Sequence, residues 1–463
     1  MTDTNRSDSN PTVIDNKEND TNPMGSPKES NLLLSMDLPI VISMLVQAIY
    51  NIVDSAFVGF LSEDALSAVS LVFPFQTVFT AINVGIGVGI SQHISLFRGE
   101  GKNNLSKNVA GQGFLLAFLS AILTLIFGAF FSGTYFNLSH VYGDVAIMGK
   151  SYLTIVACFS VGLYLESVFE RMLMSLGHTK EAMICQVTGA VVNIFLDPIL
   201  IFGFGPIKGL GVVGAAIATV FAQILAATMA FIFHKKFNKE LDFGLADILP
   251  KSKLIKGIFS IGASATVKQV AAAVILMIVN ALLFDFNQTA PAVYGAFNRL
   301  YVFFQTPSWA IQDVLVILVA YNLGNGQKKR YTKLFKLALV WGTSITVIAC
   351  LLISNFPDFF LKIFGAKEAM LELGRVAFPI LASFLPFQTA ASTISAMLQG
   401  LGQGNIALFA GVTERFVLPL IFVYLFARIA GLDLVWWAFT LAEVLGLLIS
   451  AGLLKYVFRR KIG

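Results

Sequence analysis

The sequence predicts an all-α polytopic membrane protein: twelve transmembrane helices in two six-helix bundles related by a pseudo-two-fold axis along the membrane normal. Three observations carry that prediction, namely the composition, the number of long apolar runs, and a repeat between the two halves of the chain. Of 463 residues, 56% are hydrophobic and 13% charged, against roughly 45–50% and 25% in an average soluble domain. A mean hydropathy of +0.76 leaves too little polar surface to cover the soluble domains that this length would otherwise make. The net charge of +5, from 32 basic and 27 acidic residues, falls mostly in short segments between apolar runs, so no nucleic-acid footprint is formed.

Residues 1–30 are rich in Asn, Asp, Ser and Lys and contain no apolar stretch, which predicts a disordered cytoplasmic tail and neither a signal peptide nor a transit helix. A helix needs about 20 apolar residues to cross a ~30 Å hydrocarbon core. Six such runs follow in the N-terminal half, at 33–58, 65–95, 107–131, 144–174, 180–203 and 210–233. Six more lie at 255–284, 290–323, 334–355, 369–399, 405–428 and 434–457. Basic residues gather at alternate connections: Arg98, Lys102 and Lys107, then Lys235, Lys236 and Lys239, then Lys328, Lys329, Arg330 and Lys333. By the positive-inside rule both termini, including Lys455, Arg459, Arg460 and Lys461, are cytoplasmic. The expected organisation is an N-lobe over 31–233, a cytoplasmic linker over 234–254 and a C-lobe over 255–463.

The polar linker sits at the centre of the chain and prompts a search for a repeat. Phe75-Gln76-Thr77 followed by Ala81-Ile82 in the second span has the spacing of Phe304-Gln305-Thr306 followed by Ala310-Ile311 in the eighth. Both spans end in Gly-x-Gly, at Gly99 and Gly101 and at Gly324 and Gly326, and Ser175-Leu176-Gly177 is echoed by Gly400-Leu401-Gly402. Six spans per half give both halves the same orientation, as in one class of secondary transporters.

An ionisable residue in hydrocarbon costs at least about 2.5–3.5 kcal/mol, so each one needs a reason. Away from the span ends, the N-terminal half is expected to carry two buried acids, Asp54 and Asp197, with no cationic partner in that half. The C-terminal half carries Lys268, Arg299, Asp313, Glu414, Arg415 and Glu443, which can neutralise one another. Counting along the first and fifth spans at 1.5 Å per residue places Asp54 and Asp197 at one depth. Asn193 shares the helix face of Asp197, and Tyr152 and Thr219 reach a similar level. These oxygens suit Na⁺, held at Asp54, Asn193 and Asp197, while paired carboxyls also suit H⁺ exchange. The alternative is that Asp54 pairs locally and that Asn193 and Thr219 only bond between helices. Pro39, near the start of the first span, is either a hinge or a static kink.

Other patterns point away from chemistry. Gly85, Gly87 and Gly89 sit mid-helix and predict close packing rather than nucleotide binding. Cys158, Cys185 and Cys350 lie far apart in apolar runs, and His93, His140, His178 and His234 are scattered, so no metal cluster, catalytic constellation or enzyme is expected.

The strings YNIVD at 50–54 with FVG at 57–59, Pro39 upstream, NIFLDPILIFG at 193–203 and GAAIAT at 214–219 resemble motifs of the multidrug and toxic compound extrusion (MATE) family, most of all its DinF-type prokaryotic branch. The resemblance implies two bundles arranged as a V in a prokaryotic plasma membrane, exporting small amphipathic or cationic drug-like compounds by antiport with H⁺ or Na⁺. It implies no cofactor beyond that ion, no nucleic-acid partner, and a monomer in the lipid bilayer. Carried over by position, Asp54, Tyr152, Asn193, Asp197 and Thr219 match the family's N-lobe cation site, and Pro39 its helix-bending proline. The acidic site that one branch places in the seventh and tenth spans has no counterpart, since span seven has Lys268 and span ten no acid at that depth. The rival reading is a flippase for a lipid-linked oligosaccharide.

Overall fold

A computed structural model of the chain describes Met24 and residues 28–139, 141–429 and 431–461. The expected disordered tail falls almost entirely outside the described residues, as does His140. Eleven helices are long and apolar enough to cross a membrane, and a twelfth span forms if Asp144–Cys158 and Val161–Ser175, bent by 45° at their junction, count as one. The twelve-span expectation is borne out.

Most helices outrun their apolar runs at one end or both, because interfacial residues continue the hydrogen-bond ladder beyond the hydrocarbon, whereas the fifth ends at Phe202 and the sixth begins at Val212, inside the expected runs. The first span is one helix, Glu29–Leu61, with Pro39 inside it. A single residue, Ser62, turns the chain into the second span, Glu63–Gly99; its side chain accepts from the Ala65 N–H at 3.0 Å and caps the helix. Thr179–Phe202 and Val212–Phe237 form the fifth and sixth spans, joined by a two-stranded hairpin pairing Gly203 with Lys208. In the C-terminal half Ser252–Phe286 and Ala290–Gly324 are the seventh and eighth spans, and Lys328–Asn355 the ninth. The tenth breaks between Glu368–Ala382 and Leu385–Gly400. That break, at Ser383 and Phe384, falls 224 residues after the break at Phe159 and Ser160, within one residue of the 225 that separate Gly99 from Gly324. The repeat therefore extends to the points where helices fracture. One feature lacks a mate: span eleven contains a π-helical turn, Thr413–Val417, between Gly404–Val412 and Leu418–Ile429, whereas span five is α-helical throughout.

The two spans that carry Phe-Gln-Thr run in the same direction and end against each other. A Cβ at Gly99 would overlap the Tyr321 carbonyl, and a Cβ at Gly324 would overlap the Leu96 carbonyl. Leu96 and Tyr321 are themselves 225 apart, so these reciprocal contacts straddle the pseudo-two-fold axis. The glycine string of span two packs as expected. Gly85 meets Gly262 of span seven backbone to backbone, Gly89 meets the Ile258 carbonyl, and Gly87 seats the Arg171 side chain.

Burial shows where the lobes join. Near the linker face one cluster mixes Leu33 and Val88 with Leu315, Met397 and Val457 from the other lobe. Toward the opposite face the clusters separate into an N-lobe set around Val72, Tyr152 and Val212 and a C-lobe set around Val279, Phe378 and Trp436. The lobes are thus fastened at the linker side and independent at the other.

Candidate coupling site in the N-terminal lobe

Five spans of the N-lobe bring polar groups together among apolar neighbours. Asp197, Asn193, Tyr152 and Thr219 are each at most 4% exposed. The carboxyls of Asp54 and Asp197 lie close to each other. Oriented to satisfy both ends of its amide, Asn193 donates to Asp197 Oδ2 at 3.1 Å and accepts from the Thr219 N–H at 3.2 Å. Gln76 Nε2 donates to the Tyr152 hydroxyl at 3.5 Å. Asp54 Oδ1 and Thr219 Oγ1 are buried with no hydrogen-bond partner. Free acceptor oxygens beside two carboxyls are what a small hard cation or a proton donor would satisfy.

Local sequence explains the convergence. Asn193 and Asp197, four apart, share one face of span five. Pro198 then removes the N–H that would have bonded the Ile194 carbonyl, loosening the helix beside the acid. All five residues expected at this level meet here, and neither aspartate makes an ion pair with Lys, Arg or His among the described residues. Among those residues no group of three or more His, Cys, Asp or Glu could hold a metal ion, which sets this two-carboxylate site apart from a transition-metal centre.

Sequence reasoning missed four residues. Tyr50, one helical turn before Asp54, lies within electrostatic reach of Asp54, Asp197, Tyr152 and also Glu166. Gln76 belongs to the repeated Phe-Gln-Thr string. The larger correction concerns the count of acids. The N-lobe carries Glu166 and Glu170 within span four as well as Asp54 and Asp197. Their i, i+4 spacing was the available signal.

The C-lobe groups also needed correction. They do not only neutralise one another, because Asp313 bonds across to Arg171 of the N-lobe, Nη1 to Oδ2 at 2.9 Å. Of the others, Glu414 and Arg415 pair as ions, whereas Lys268 and Glu443 bond to neutral side chains. Arg415 Nε meets Glu414 Oε1 at 3.2 Å, Arg415 Nη2 donates to Ser392 Oγ at 2.7 Å, and Lys268 Nζ donates to Ser395 Oγ at 2.7 Å. Gln388 Nε2 donates to Glu443 Oε1 at 3.0 Å. The π-turn is what presents Glu414 and Arg415 side by side into this network.

Comparison with known proteins decides the family. The MatE family model matches the chain twice, over residues 39–199 and 265–425. This chain belongs to the MatE family. The double match is the internal repeat seen as a family property, one copy per lobe of this MatE protein. Among curated relatives, the multidrug export protein MepA of Staphylococcus aureus (strain MRSA252) is 25% identical over 433 residues, 93% of this chain and 94% of that protein. Among solved structures, an outward-facing multidrug resistance MATE family transporter superposes with a TM-score of 0.88 at 21% identity, covering 96% of this chain and all of that one. A MATE structure in the straight conformation gives 0.84 at 22% identity, with 96% and 100% coverage. The chain shares the twelve-helix, two-lobe fold of these transporters.

Proposed function

We propose that this protein is a secondary transporter that exports small amphipathic or cationic compounds by antiport with H⁺ or Na⁺, and that the ion is carried in the N-lobe by Asp54, Asp197, Asn193, Tyr152 and Thr219. The observation that carries the reading is the closeness of the two aspartates without a basic neighbour. Asp197 is buried and Asp54 half-buried, and such an acid pair with no fixed counter-charge is cheap only when a proton or cation occupies it. Its occupancy therefore changes the energy of the lobe, which is the requirement for coupling an ion to a conformational step.

Export of drug-like compounds is supported by the family and by the relative described as a multidrug export protein. Basic residues at the linker face support cytoplasmic termini and a plasma-membrane location. With that orientation, the side on which the lobes are fastened faces the cytoplasm, and the form described here opens outward. Filling the aspartate site would then permit span one to bend at Pro39 and close the N-lobe. In the C-lobe, Arg415 is tied to Glu414 and Lys268 to Ser395, which supports an exporter over a carrier of lipid-linked diphosphates.

The test is uptake of a lipophilic cation into proteoliposomes with Na⁺ and pH gradients imposed separately. One gradient drives uptake in the wild type, and Asp54→Asn and Asp197→Asn fall to background while keeping normal expression and folding. Gradient-driven uptake by either variant at the wild-type rate refutes the site.

A further inference from the structure

Arg171 and Asp313 are not absorbed by the coupling site, and their setting is unusual. Arg171 lies near the end of span four in one lobe and Asp313 lies within span eight of the other, yet their side chains meet at 2.9 Å while 14% and 22% exposed. The glycine string exists partly for this pair. Gly87 leaves room for the Arg171 stem, since a Cβ there would stand 2.9 Å from Arg171 Cγ. Without that gap the guanidinium could not cross between spans two and four to reach the other lobe. The crossing is next to a close backbone approach between the lobes, Gly85 against Gly262, where Thr266 Oγ1 also donates to the Ala81 carbonyl at 3.0 Å.

Each partner has a second, unused partner inside its own lobe. Beside Arg171 is Glu170, whose Oε1 is buried without a hydrogen bond. Asp313 lies within electrostatic reach of Lys268, which is tied only to the neutral Ser395 hydroxyl. Breaking a buried ion pair is costly when it strands both charges. Here it strands neither, because the two ions can turn to Glu170 and Lys268. Two alternative sets of partners, one across the lobes and one within them, make a contact of the kind that converts a small change into a discrete one.

We propose that Arg171 and Asp313 form a latch between the lobes that exchanges partners during transport, Arg171 turning to Glu170 and Asp313 to Lys268 as the linker face opens. The idea rests on the alternating-access reading given above. It also gives the aspartate site a route to the latch. Tyr50 lies within electrostatic reach of both Asp54 and Glu166, and Glu166 stands one turn before Glu170 on span four. Arg171 and Asp313 are positioning residues in this scheme and touch neither ion nor cargo.

The experiment measures the distance between the lobes at the linker face by pulsed electron paramagnetic resonance. Spin labels are placed by Lys102→Cys and Lys329→Cys, at exposed positions on either side of the Gly99 and Gly324 contact, after Cys158, Cys185 and Cys350 are changed to Ala. In nanodiscs without substrate, Asp313→Asn should raise the population with the longer distance by about threefold or more, and Asp313→Glu, which keeps the charge, should leave it near wild type. A wild-type distribution in Asp313→Asn overturns the latch. Equal shifts in Asp313→Asn and Asp313→Glu also overturn it, because packing rather than charge then holds the lobes. A wild type that keeps one distance with and without a lipophilic cation contradicts the alternating-access reading itself, whereas a mobile wild type with an unmoved Asp313→Asn contradicts the latch alone.

Discussion

In the N-terminal lobe Asp54 and Asp197 lean on each other with no base between them, whereas in the C-terminal lobe Glu414 is held by Arg415 at 3.2 Å and Glu443 by Gln388 at 3.0 Å. The backbones repeat, down to the fractures in spans four and ten. The side chains do not. One lobe leaves its two acids without a base, and the other ties its acids to Arg415 and Gln388 around the π-turn. Duplication supplies two equivalent scaffolds, and the difference teaches that a repeated backbone can carry two different arrangements of charge.

The sharpest way to break this comparison is to remove one acid from each lobe and measure stability. Glu414→Gln leaves Arg415 buried without its partner and should cost about 3–5 kcal/mol, seen as a lower melting temperature in detergent. Asp197→Asn removes a repulsive neighbour of Asp54 and should leave the melting temperature unchanged or raised. If both variants lose stability alike, the charge deficit assigned to the N-lobe is wrong.

A smaller effect tests the symmetry itself. Gly99→Ala and Gly324→Ala place a methyl against the Tyr321 and Leu96 carbonyls respectively, and overpacking of this kind costs about 1–3 kcal/mol. Reciprocal contacts predict equal losses for the two variants in a thermal-stability assay, and a difference larger than the loss itself would show that the axis does not pass between them. The mildest expectation concerns Pro39. Pro39→Ala restores a helix hydrogen bond and should slow turnover by about threefold, roughly 0.7 kcal/mol of barrier, with less change in ion affinity. Parallel loss of ion protection at a cysteine placed near Asn193 would remove the hinge role.

Much of the fold could be read from the sequence because the bilayer imposes a length on every apolar run, and the repeat was visible in Phe75-Gln76-Thr77 and its echo. Asp54 and Asp197 stood out because an acid in hydrocarbon is rare, and counting residues at helical rise set them level before any coordinates. Glu166 and Glu170 escaped notice because, next to Arg171, they read as a polar span end. The π-turn at Thr413–Val417 carries no breaker such as Gly or Pro within it, so nothing in its composition announces the change of pitch. The partner of Asp313 was out of reach for a different reason: periodicity places residues on the face of one helix, while a contact 142 positions apart depends on how two lobes meet.

The docking of the polar segment between spans six and seven has a mechanical consequence. Gln112 of the third span, within Asn103–Leu138, donates to the carbonyls of Asp247 and Leu249 at 2.7 and 2.8 Å and accepts from the Lys251 N–H at 2.9 Å. Gly111 beside it lets the Asp247 backbone settle directly on the helix. Span seven begins at the next residue, Ser252. A segment of some fourteen residues after Phe237 therefore offers almost no slack: it is held against the first lobe up to Lys251, and Leu241 and Phe243 within it share a cluster with Ile258 of span seven. A link this short would favour rocking over sliding in any movement of one lobe against the other.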